Sequence, residues 1–231
     1  ECYYHNNMKN LCIIPARGGS KRIPRKNIKN FMGKPIIAYS IEAALQSELF
    51  DEVIVSTDDS EIAEIAAKYG AKVPFMRSKK NADDFATLAD VIEEVLNQYK
   101  KSNYSFVYIC CILPTSPLIT VPLLSKTLNK LKISDADSIR PIIRFSYPIQ
   151  RSFRLLDGKL EWMNSKYKST RSQDLEPAFH DAGMFYWMKA DKGLKGENRL
   201  GYEIPENECH DIDSEMDWKL AELKFRLINS M

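Results

Sequence analysis

The feature that most constrains this chain is a short apolar segment followed at once by a basic, glycine-containing loop. Residues 11–14 are continuously apolar, which is typical of a strand buried on both faces. Pro15 ends that segment, and the adjacent glycines Gly18 and Gly19 follow it. The loop also carries five cations, namely Arg17, Lys21, Arg22, Arg25 and Lys26.

This combination predicts a polyphosphate site. Glycine lets backbone N–H groups approach an anion, and Arg and Lys neutralise its charge. Ligands of α/β proteins also bind at the carboxyl ends of strands. The patterns G-x-x-x-x-G-K-[ST] and G-x-G-x-x-G are absent, so the residues alone leave a solvated basic loop as the alternative.

Strand-like and helical segments alternate over the first 132 residues. This alternation predicts an α/β fold with a mostly parallel, doubly wound sheet. After the first strand come a helix whose apolar positions lie at 37–45, a strand at 53–55 and a helix at 62–69. A strand at 71–76, a helix at 85–99, a strand at 105–113 and a helix at 120–132 follow.

The pattern changes after residue 137. Residues 138–165 contain prolines, aromatic residues and a hairpin-like Asp157-Gly158, which predicts an antiparallel excursion. A strand at 183–189 and a last helix follow, with Ser214 and Asp217 as its capping box. The apolar stripe of that helix is Met216, Leu220, Leu223 and Leu227.

Residues 1–7 are excluded from fold reasoning as an expression remnant or a misannotated start, with Met8 as the natural start.

Composition excludes several classes of protein. A net charge of +2 over 231 residues is too small to indicate a nucleic-acid or membrane partner, and no stretch is long enough for a transmembrane helix. The five cysteines lack a C-x-x-C spacing. We therefore expect reduced thiols in a cytoplasmic protein.

Asp211 and Asp213 form a second candidate site. Residues two apart in an extended segment face the same side, and two carboxylates with substrate phosphates suit Mg²⁺. The alternative is an acidic helix N-terminus, which is favourable without any metal. Arg77 and Asp58 each follow a strand, where Arg77 could contact a base edge or either residue could simply cap the structure.

A third group of polar residues surrounds the predicted excursion. An Arg with several polar groups is what a sugar acid requires. His180 and Asp181 are neighbours on a predicted strand, so their side chains face opposite sides and need not act as a pair. The group consists of Arg171, Gln173, His180 and Asp181.

Residues 14–27 closely resemble the signature of the acylneuraminate cytidylyltransferases, also called CMP-sialic acid synthetases. The resemblance continues through 55–58, 114–118 and 211–215, and it covers the chain from residue 9 onward. Within that family, residues 172–183 and 185–187 look most like the pseudaminic acid cytidylyltransferases of bacteria.

The resemblance implies the reaction CTP + nonulosonic acid → CMP-sugar + pyrophosphate, with attack of the C2 hydroxyl on the α-phosphate. It also implies a Rossmann-like, GT-A-like nucleotidyltransferase fold. Residues 138–180 would be a small antiparallel dimerisation insertion that completes the sugar pocket of the partner in a homodimer. Residues 8–137 and 181–231 would form the nucleotide-binding α/β core.

The resemblance assigns roles by matched position. It implies catalytic roles for Arg17, Lys21 and Lys26, and CTP contacts from Ala16, Gly18, Ser20, Asn27 and Arg77. It implies Mg²⁺ binding by Asp211 and Asp213. The implied sugar contacts are Leu113, Thr115, Ser116, Arg171, Gln173, His180 and Asp181.

Three positions depart from the sialic acid enzymes. Leu113 stands where those enzymes usually have Gln, Ala182 where they have Asn, and His180 where they have Arg. All three belong to the sugar side, and a less polar pocket suits a 7-acetamido, 9-deoxy sugar. The alternatives are N-acetylneuraminic, legionaminic or 3-deoxy-manno-octulosonic acid, or a nucleotide-binding module without catalysis.

Overall fold

The computed structural model describes residues 6–7 and 10–230, so the predictions for Met8 and Cys2 lie outside the described residues. The helices are α1 (Ile36–Gln46), α2 (Ser60–Lys68), α3 (Lys79–Ala82), α4 (Leu88–Lys101), α5 (Val121–Lys132) and α6 (Glu215–Asn229). The strands are β1 (Asn6–Asn7), β2 (Asn10–Pro15), β3 (Asn30–Phe31), β4 (Lys34–Pro35), β5 (Glu52–Ser56), β6 (Tyr104–Ser105), β7 (Tyr108–Ile112), β8 (Ser138–Arg144), β9 (Phe153–Leu156), β10 (Lys159–Trp162), β11 (Phe179–Asp181), β12 (Phe185–Lys189) and β13 (Arg199–Glu203).

Seven of these strands form a central sheet in the order β11-β8-β12-β7-β2-β5, with β13 paired to β8. Strand β2 is parallel to both neighbours, β5 and β7. Strand β12 is antiparallel to β7 and β8, and β11 is antiparallel to β8. Because β13 is parallel to β8, only β11 and β12 run against the others. The predicted mostly parallel α/β sheet is confirmed.

Strand β2 is buried on both faces, as its apolar run predicts. Cys12 and Ile14 pack in the core beneath α1, α2 and α5. Leu11 and Ile13 face the other side and pack with α4 residues such as Val95. Helices therefore cover both faces of the sheet, which is why its central strands read as continuous apolar runs.

The four cysteines in the described part of the chain are buried and free, as predicted: Cys12, Cys110, Cys111 and Cys209. Among the described residues, no helix is both long enough and apolar enough to cross a bilayer.

The prediction of a strand at 71–76 is wrong. Only Lys72 pairs with the sheet, through a single parallel bridge to Ile54. Pro74 has no N–H with which to extend the ladder. The chain instead runs on to Arg77, whose backbone N–H donates to the carbonyl of Thr57 at 2.8 Å.

Two helix predictions also need correction. Helix α4 begins only at Leu88, after a capping box formed by Thr87 and Asp90, so Phe85 lies outside the helix and is 91% exposed. In α6 the capping box of Ser214 and Asp217 is present as predicted. The stripe predicted for α6, however, is the exposed face of the helix: Met216, Leu220, Leu223 and Leu227.

The predicted insertion contributes to the sheet at both ends, because β8 and β11 pair with each other there. The part that leaves the sheet is residues 145–178, and its regular element is the hairpin of β9 and β10. Asp157 and Gly158 form the hairpin turn with φ of 49° and 78°, as their sequence predicts. The division of the chain into core and insertion stays a prediction.

Candidate active site

A cavity of about 420 Å³ opens at the carboxyl ends of β2 and β7. It brings together three segments that are far apart in sequence: the basic loop, the residues after β7 and the acidic segment before α6. Its lining consists of Pro15, Arg17, Ser20, Lys21, Arg22, Lys26, Asn27, Leu113, Pro114, Thr115 and Asp211.

The basic loop is held against the end of β5 by backbone hydrogen bonds. The N–H of Ala16 donates to the carbonyl of Ser56 at 2.9 Å, and the N–H of Gly18 donates to Asp58 Oδ1 at 3.0 Å. A Cβ at position 18 would lie 2.6 Å from Asp59 Oδ2 and 3.1 Å from Asp59 Cβ, so a larger residue there would have to displace the Asp59 side chain. The sequence left the role of Asp58 open, and the structure shows that its side chain supports the basic loop.

Asn27 closes the loop from inside. Its side chain is buried, and its Nδ2 donates to the carbonyl of Arg17 at 2.9 Å. Asn27 and Gly18 thus fix the backbone that presents the cations to the cavity.

Arg25 has a structural role among the five cations. Its backbone lies in the left-handed region with φ of 54°, and its guanidinium binds Asp59 (Nη2 to Oδ1, 3.0 Å) and Glu61. Hydrogen bonds from Arg25 are the main reason that the pKa of Asp59 falls to about 2. The pair joins the loop to the start of α2.

Arg17 and Lys21 bind opposite oxygens of the Asp84 carboxylate. Arg17 Nη1 lies 2.8 Å from Asp84 Oδ1 and also donates to the carbonyl of Asp83 at 2.9 Å. Lys21 Nζ donates to Asp84 Oδ2. Sequence reasoning missed Asp84, because no motif or spacing separates it from the other polar residues between 78 and 84.

Lys26 and Arg22 join the loop to the acidic segment. Lys26 Nζ donates to the carbonyl of Ile212 at 2.6 Å and lies 3.8 Å from Asp213 Oδ1. Arg22 Nη2 lies 2.7 Å from the same Asp213 oxygen. Burial lowers the pKa of Lys26, while Asp213 and Asp211 act in the opposite direction.

Asp211 and Asp213 flank Ile212, which is fully buried beside Ile23 and Trp218. This alternation leaves the two carboxylates outside the core. The pKa of Asp211 is raised, first by partial desolvation and then by the like charge of Asp213. No group of three or more His, Cys, Asp or Glu able to hold a metal occurs in the described residues. Two hard oxygen donors plus substrate phosphates nevertheless fit Mg²⁺.

Arg77 lies beside the cavity and does not line it. Its guanidinium is buried at the end of β5, where Nε donates to Ser56 Oγ at 3.1 Å and Nη2 donates to the Ser56 carbonyl at 2.5 Å. Burial lowers the pKa of Arg77, and Asp58 partly offsets that effect.

Leu113 and Thr115 line the cavity on the side predicted to hold the sugar. Ser116 does not, because its buried hydroxyl donates to the carbonyl of Met184 at 3.1 Å. Ala182 is buried as well. The side of the cavity predicted to hold the sugar is therefore lined by Leu113, Pro114 and Thr115.

The remaining predicted sugar contacts lie outside this cavity. Arg171 binds Asp174 at 2.8 Å, and Gln173 is exposed. The ring of His180 packs on the ring of Phe145, with 4.7 Å between the two ring centroids. Asp181 accepts from Arg140 at 3.0 Å and from the Gly183 N–H at 2.8 Å, and sequence reasoning missed Arg140. The roles of these residues stay predictions.

Comparison with known proteins gives one family. The cytidylyltransferase family model matches residues 11–183. A pseudaminic acid cytidylyltransferase of Campylobacter jejuni is 43% identical over 227 residues, which cover 95% of this chain and 97% of the relative. A CMP-N,N'-diacetyllegionaminic acid synthase of Legionella pneumophila is 32% identical and covers 93% of this chain and 95% of its own.

The fold is also found among solved structures. A CMP:2-keto-3-deoxy-manno-octonic acid synthetase complexed with CTP has a TM-score of 0.67 at 17% identity, with 96% of this chain and 100% of that chain covered. The predicted nucleotidyltransferase fold is confirmed.

Proposed function

Since this chain belongs to the cytidylyltransferase family, a family of CTP-utilising nucleotidyltransferases, we propose that it converts CTP and pseudaminic acid into CMP-pseudaminic acid and pyrophosphate. The observation that carries this proposal is the single cavity in which the basic loop, Leu113 and Asp211 meet. The substrate choice draws on the relative from Campylobacter jejuni, which matches over almost the whole of both chains.

The reaction demands charge stabilisation more than covalent chemistry. The C2 hydroxyl oxygen of the sugar attacks the α-phosphorus of CTP, the bond to the β-phosphate bridging oxygen breaks, and pyrophosphate leaves with that electron pair. The hydroxyl proton passes to solvent. Fixed positive charge around the phosphates stabilises such a transfer.

The cations lie at different positions, and each position suits a different part of CTP. Lys21 is the more exposed and, with Arg17, suits the outer phosphates of CTP. Lys26 is more enclosed and lies beside the acidic segment, which suits contact with the α-phosphate. Arg77, fixed at the end of β5, would contact the cytidine.

Asp211 and Asp213 would hold Mg²⁺. When bound, Mg²⁺ neutralises phosphate charge and lowers the pKa of a hydroxyl group. Asp213 also binds Arg22 and lies near Lys26, so the same carboxylate positions two cations of the loop.

The protein acts as a homodimer in this proposal. A two-stranded hairpin alone is marginally stable, and large exposed apolar patches mark interfaces. We define the hairpin surface as the exposed apolar residues Phe153, Leu155, Leu156 and Leu160. Pairing of two protomers through this surface would allow Arg171 and Gln173, which lie outside the cavity of their own protomer, to reach the sugar bound by the partner.

A cytoplasmic location is part of the same proposal. The described cysteines are free, as is usual in a reducing compartment.

A substrate panel tests the proposed function. Purified protein with CTP and MgCl₂ is given pseudaminic, legionaminic, N-acetylneuraminic or 3-deoxy-manno-octulosonic acid, and pyrophosphate release is followed. We expect the highest kcat/KM with pseudaminic acid. Faster turnover of N-acetylneuraminic acid would refute the substrate assignment. CTP binding without pyrophosphate release for any sugar would indicate a non-catalytic module.

A further inference from the structure

We propose that Asp84 competes with the triphosphate of CTP for Arg17 and Lys21, so that nucleotide binding displaces the turn of residues 83–86 from the basic loop. This inference rests on the proposed function to the extent that it takes CTP as the ligand. It concerns a carboxylate that the assigned roles leave unused.

One carboxylate binds two cations of the phosphate loop. Arg17 Nη1 lies 2.8 Å from Asp84 Oδ1, and Lys21 binds Oδ2. The hydrogen bonds from Lys21 and then Arg17 hold the pKa of the Asp84 carboxyl below its ordinary value. Asp84 is therefore an anion at neutral pH, and it occupies donors that a phosphate would need.

The two anions use the same donors in the same way, because Arg and Lys bind carboxylate and phosphate oxygens through similar charge-assisted hydrogen bonds. The triphosphate carries more negative charge than one carboxylate. The Asp84 contacts are also easily exchanged, since the Lys21 side chain is 77% exposed and that of Asp84 42% exposed, and exposed ion pairs stabilise little.

The segment that carries Asp84 is a turn held to the basic loop by Arg17 and Lys21. It connects α3 to α4, and Asp83 Oδ1 accepts from the N–H groups of Phe85 and Ala86 at 2.9 and 2.8 Å. Within the described chain, the hydrogen bonds that join residues 83–85 to other segments end on Arg17 and Lys21. Exchange of Asp84 for phosphate therefore frees this turn, and the exposed Phe85 ring moves with it.

The test is the dissociation constant of CTP for the Asp84→Asn variant, measured by calorimetry with MgCl₂ and without sugar. Asparagine keeps the shape of the side chain and removes the competing charge. We expect CTP to bind about three- to fivefold more tightly than to the wild type, the gain from removing exposed ion pairs. Inorganic tripolyphosphate should show the same gain, since the competition is for phosphate.

Glu93→Gln is the matched control. It removes one carboxylate charge from α4, where Glu93 pairs with Lys195 at 3.1 Å, and it should leave both dissociation constants unchanged. Hydrogen exchange gives a second measurement. In the wild type, CTP should speed exchange of the Phe85 and Ala86 amides, and in Asp84→Asn these amides should exchange faster before CTP is added.

Unchanged or weaker binding by Asp84→Asn would overturn the inference, and weaker binding would make Asp84 a residue that positions the two cations. The inference is also overturned if Glu93→Gln tightens CTP binding equally, or if hydrogen exchange at Phe85 and Ala86 does not respond to CTP. Failure of the proposed function is distinguishable, because it would appear as missing pyrophosphate release while CTP binding and its dependence on Asp84 persist.

Discussion

Asp59 illustrates how single side chains hold the basic loop in place. One of its oxygens accepts from the N–H of Ile62 at 3.0 Å and caps α2, while the carboxylate also binds the Arg25 guanidinium. The helix cap and the ion pair therefore share one residue. Because the pKa of Asp59 is about 2, the contribution of this ion pair to the free energy of unfolding depends on pH and can be measured.

Asp59→Asn should lower the free energy of unfolding at pH 7 by about 1–2 kcal/mol, after allowance for partial exposure. Asparagine caps helices as well as aspartate does, so the loss reports the charge. Because the folded-state pKa lies below that of the unfolded chain, this stability is present above about pH 4 and is lost as the pH falls towards 2. Urea unfolding at several pH values measures it. A gap between variant and wild type that persists at pH 2 would contradict this account.

Asp211→Asn should reduce kcat/KM at least about 100-fold, because a bound metal supplies several kcal/mol of charge stabilisation. The fold should be retained, since the change removes a partly desolvated charge next to Asp213. Pyrophosphate release at varied MgCl₂ measures the effect. Asp191→Asn, an exposed carboxylate beside Lys192, is the control and should be fully active. Full activity of the Asp211 variant would remove that residue from the proposed metal site.

At the scale of elements, α6 has two apolar faces. Periodicity highlights the leucine stripe, but Trp218, Ala221 and Phe225 also recur at helical spacing. Phe31 decides between the two faces, because its ring meets Trp218 at 5.5 Å and Phe225 at 5.6 Å with edge-to-face geometry. A helix with two apolar faces buries the one for which the core provides a matching surface.

Alanine substitutions on the two faces of α6 should differ sharply. Trp218→Ala should cost about 3–5 kcal/mol of unfolding free energy, since a large buried side chain leaves a cavity. Leu223→Ala should change it by no more than about 0.5 kcal/mol, because Leu223 is exposed. Urea denaturation measures both. Equal costs would mean that Leu223 is covered in solution.

The hairpin surface provides a test of the proposed dimer. Leu155 and Leu160 are directly opposed in the β9–β10 pairing, so Leu155→Lys with Leu160→Lys places two charges at one point of that surface. We expect the molar mass in light scattering to fall from dimer to monomer. Leu223→Lys adds a charge to another exposed apolar face and should leave the dimer intact. A wild-type monomer would refute the dimer outright.

At the scale of the whole molecule, the cavity joins segments that only the folded chain brings together. CTP with MgCl₂ at about 100 times the dissociation constant should therefore add about 2.7 kcal/mol of stability, or a Tm increase of about 5–10 °C for a chain of this size. Thermal unfolding measures the shift. Cytidine lacks the phosphates and should produce a much smaller one. Equal shifts would mean that the basic loop does not bind phosphate.

Much of this protein follows from its sequence because the relevant information is local. The burial of β2, the turn at Asp157-Gly158 and the cap at Ser214 depend on residues within a few positions of one another. Residue type and spacing also predict phosphate binding by the basic loop and make the Asp211/Asp213 pair a candidate for Mg²⁺ binding, and the resemblance to a known family named the nucleotide.

Tertiary structure alone decided the features that depend on competition between distant segments. Tertiary packing determines which face of α6 is buried, and it limits the pairing of residues 71–76 with the sheet to one β-bridge at Lys72. It also pairs Arg17 and Lys21 with Asp84, which lies 67 and 63 residues away from them in the sequence. It also left Arg171 and Gln173 outside the cavity of their own chain. Periodicity and spacing identify which groups can interact, but the packing of the whole chain determines which of those interactions form.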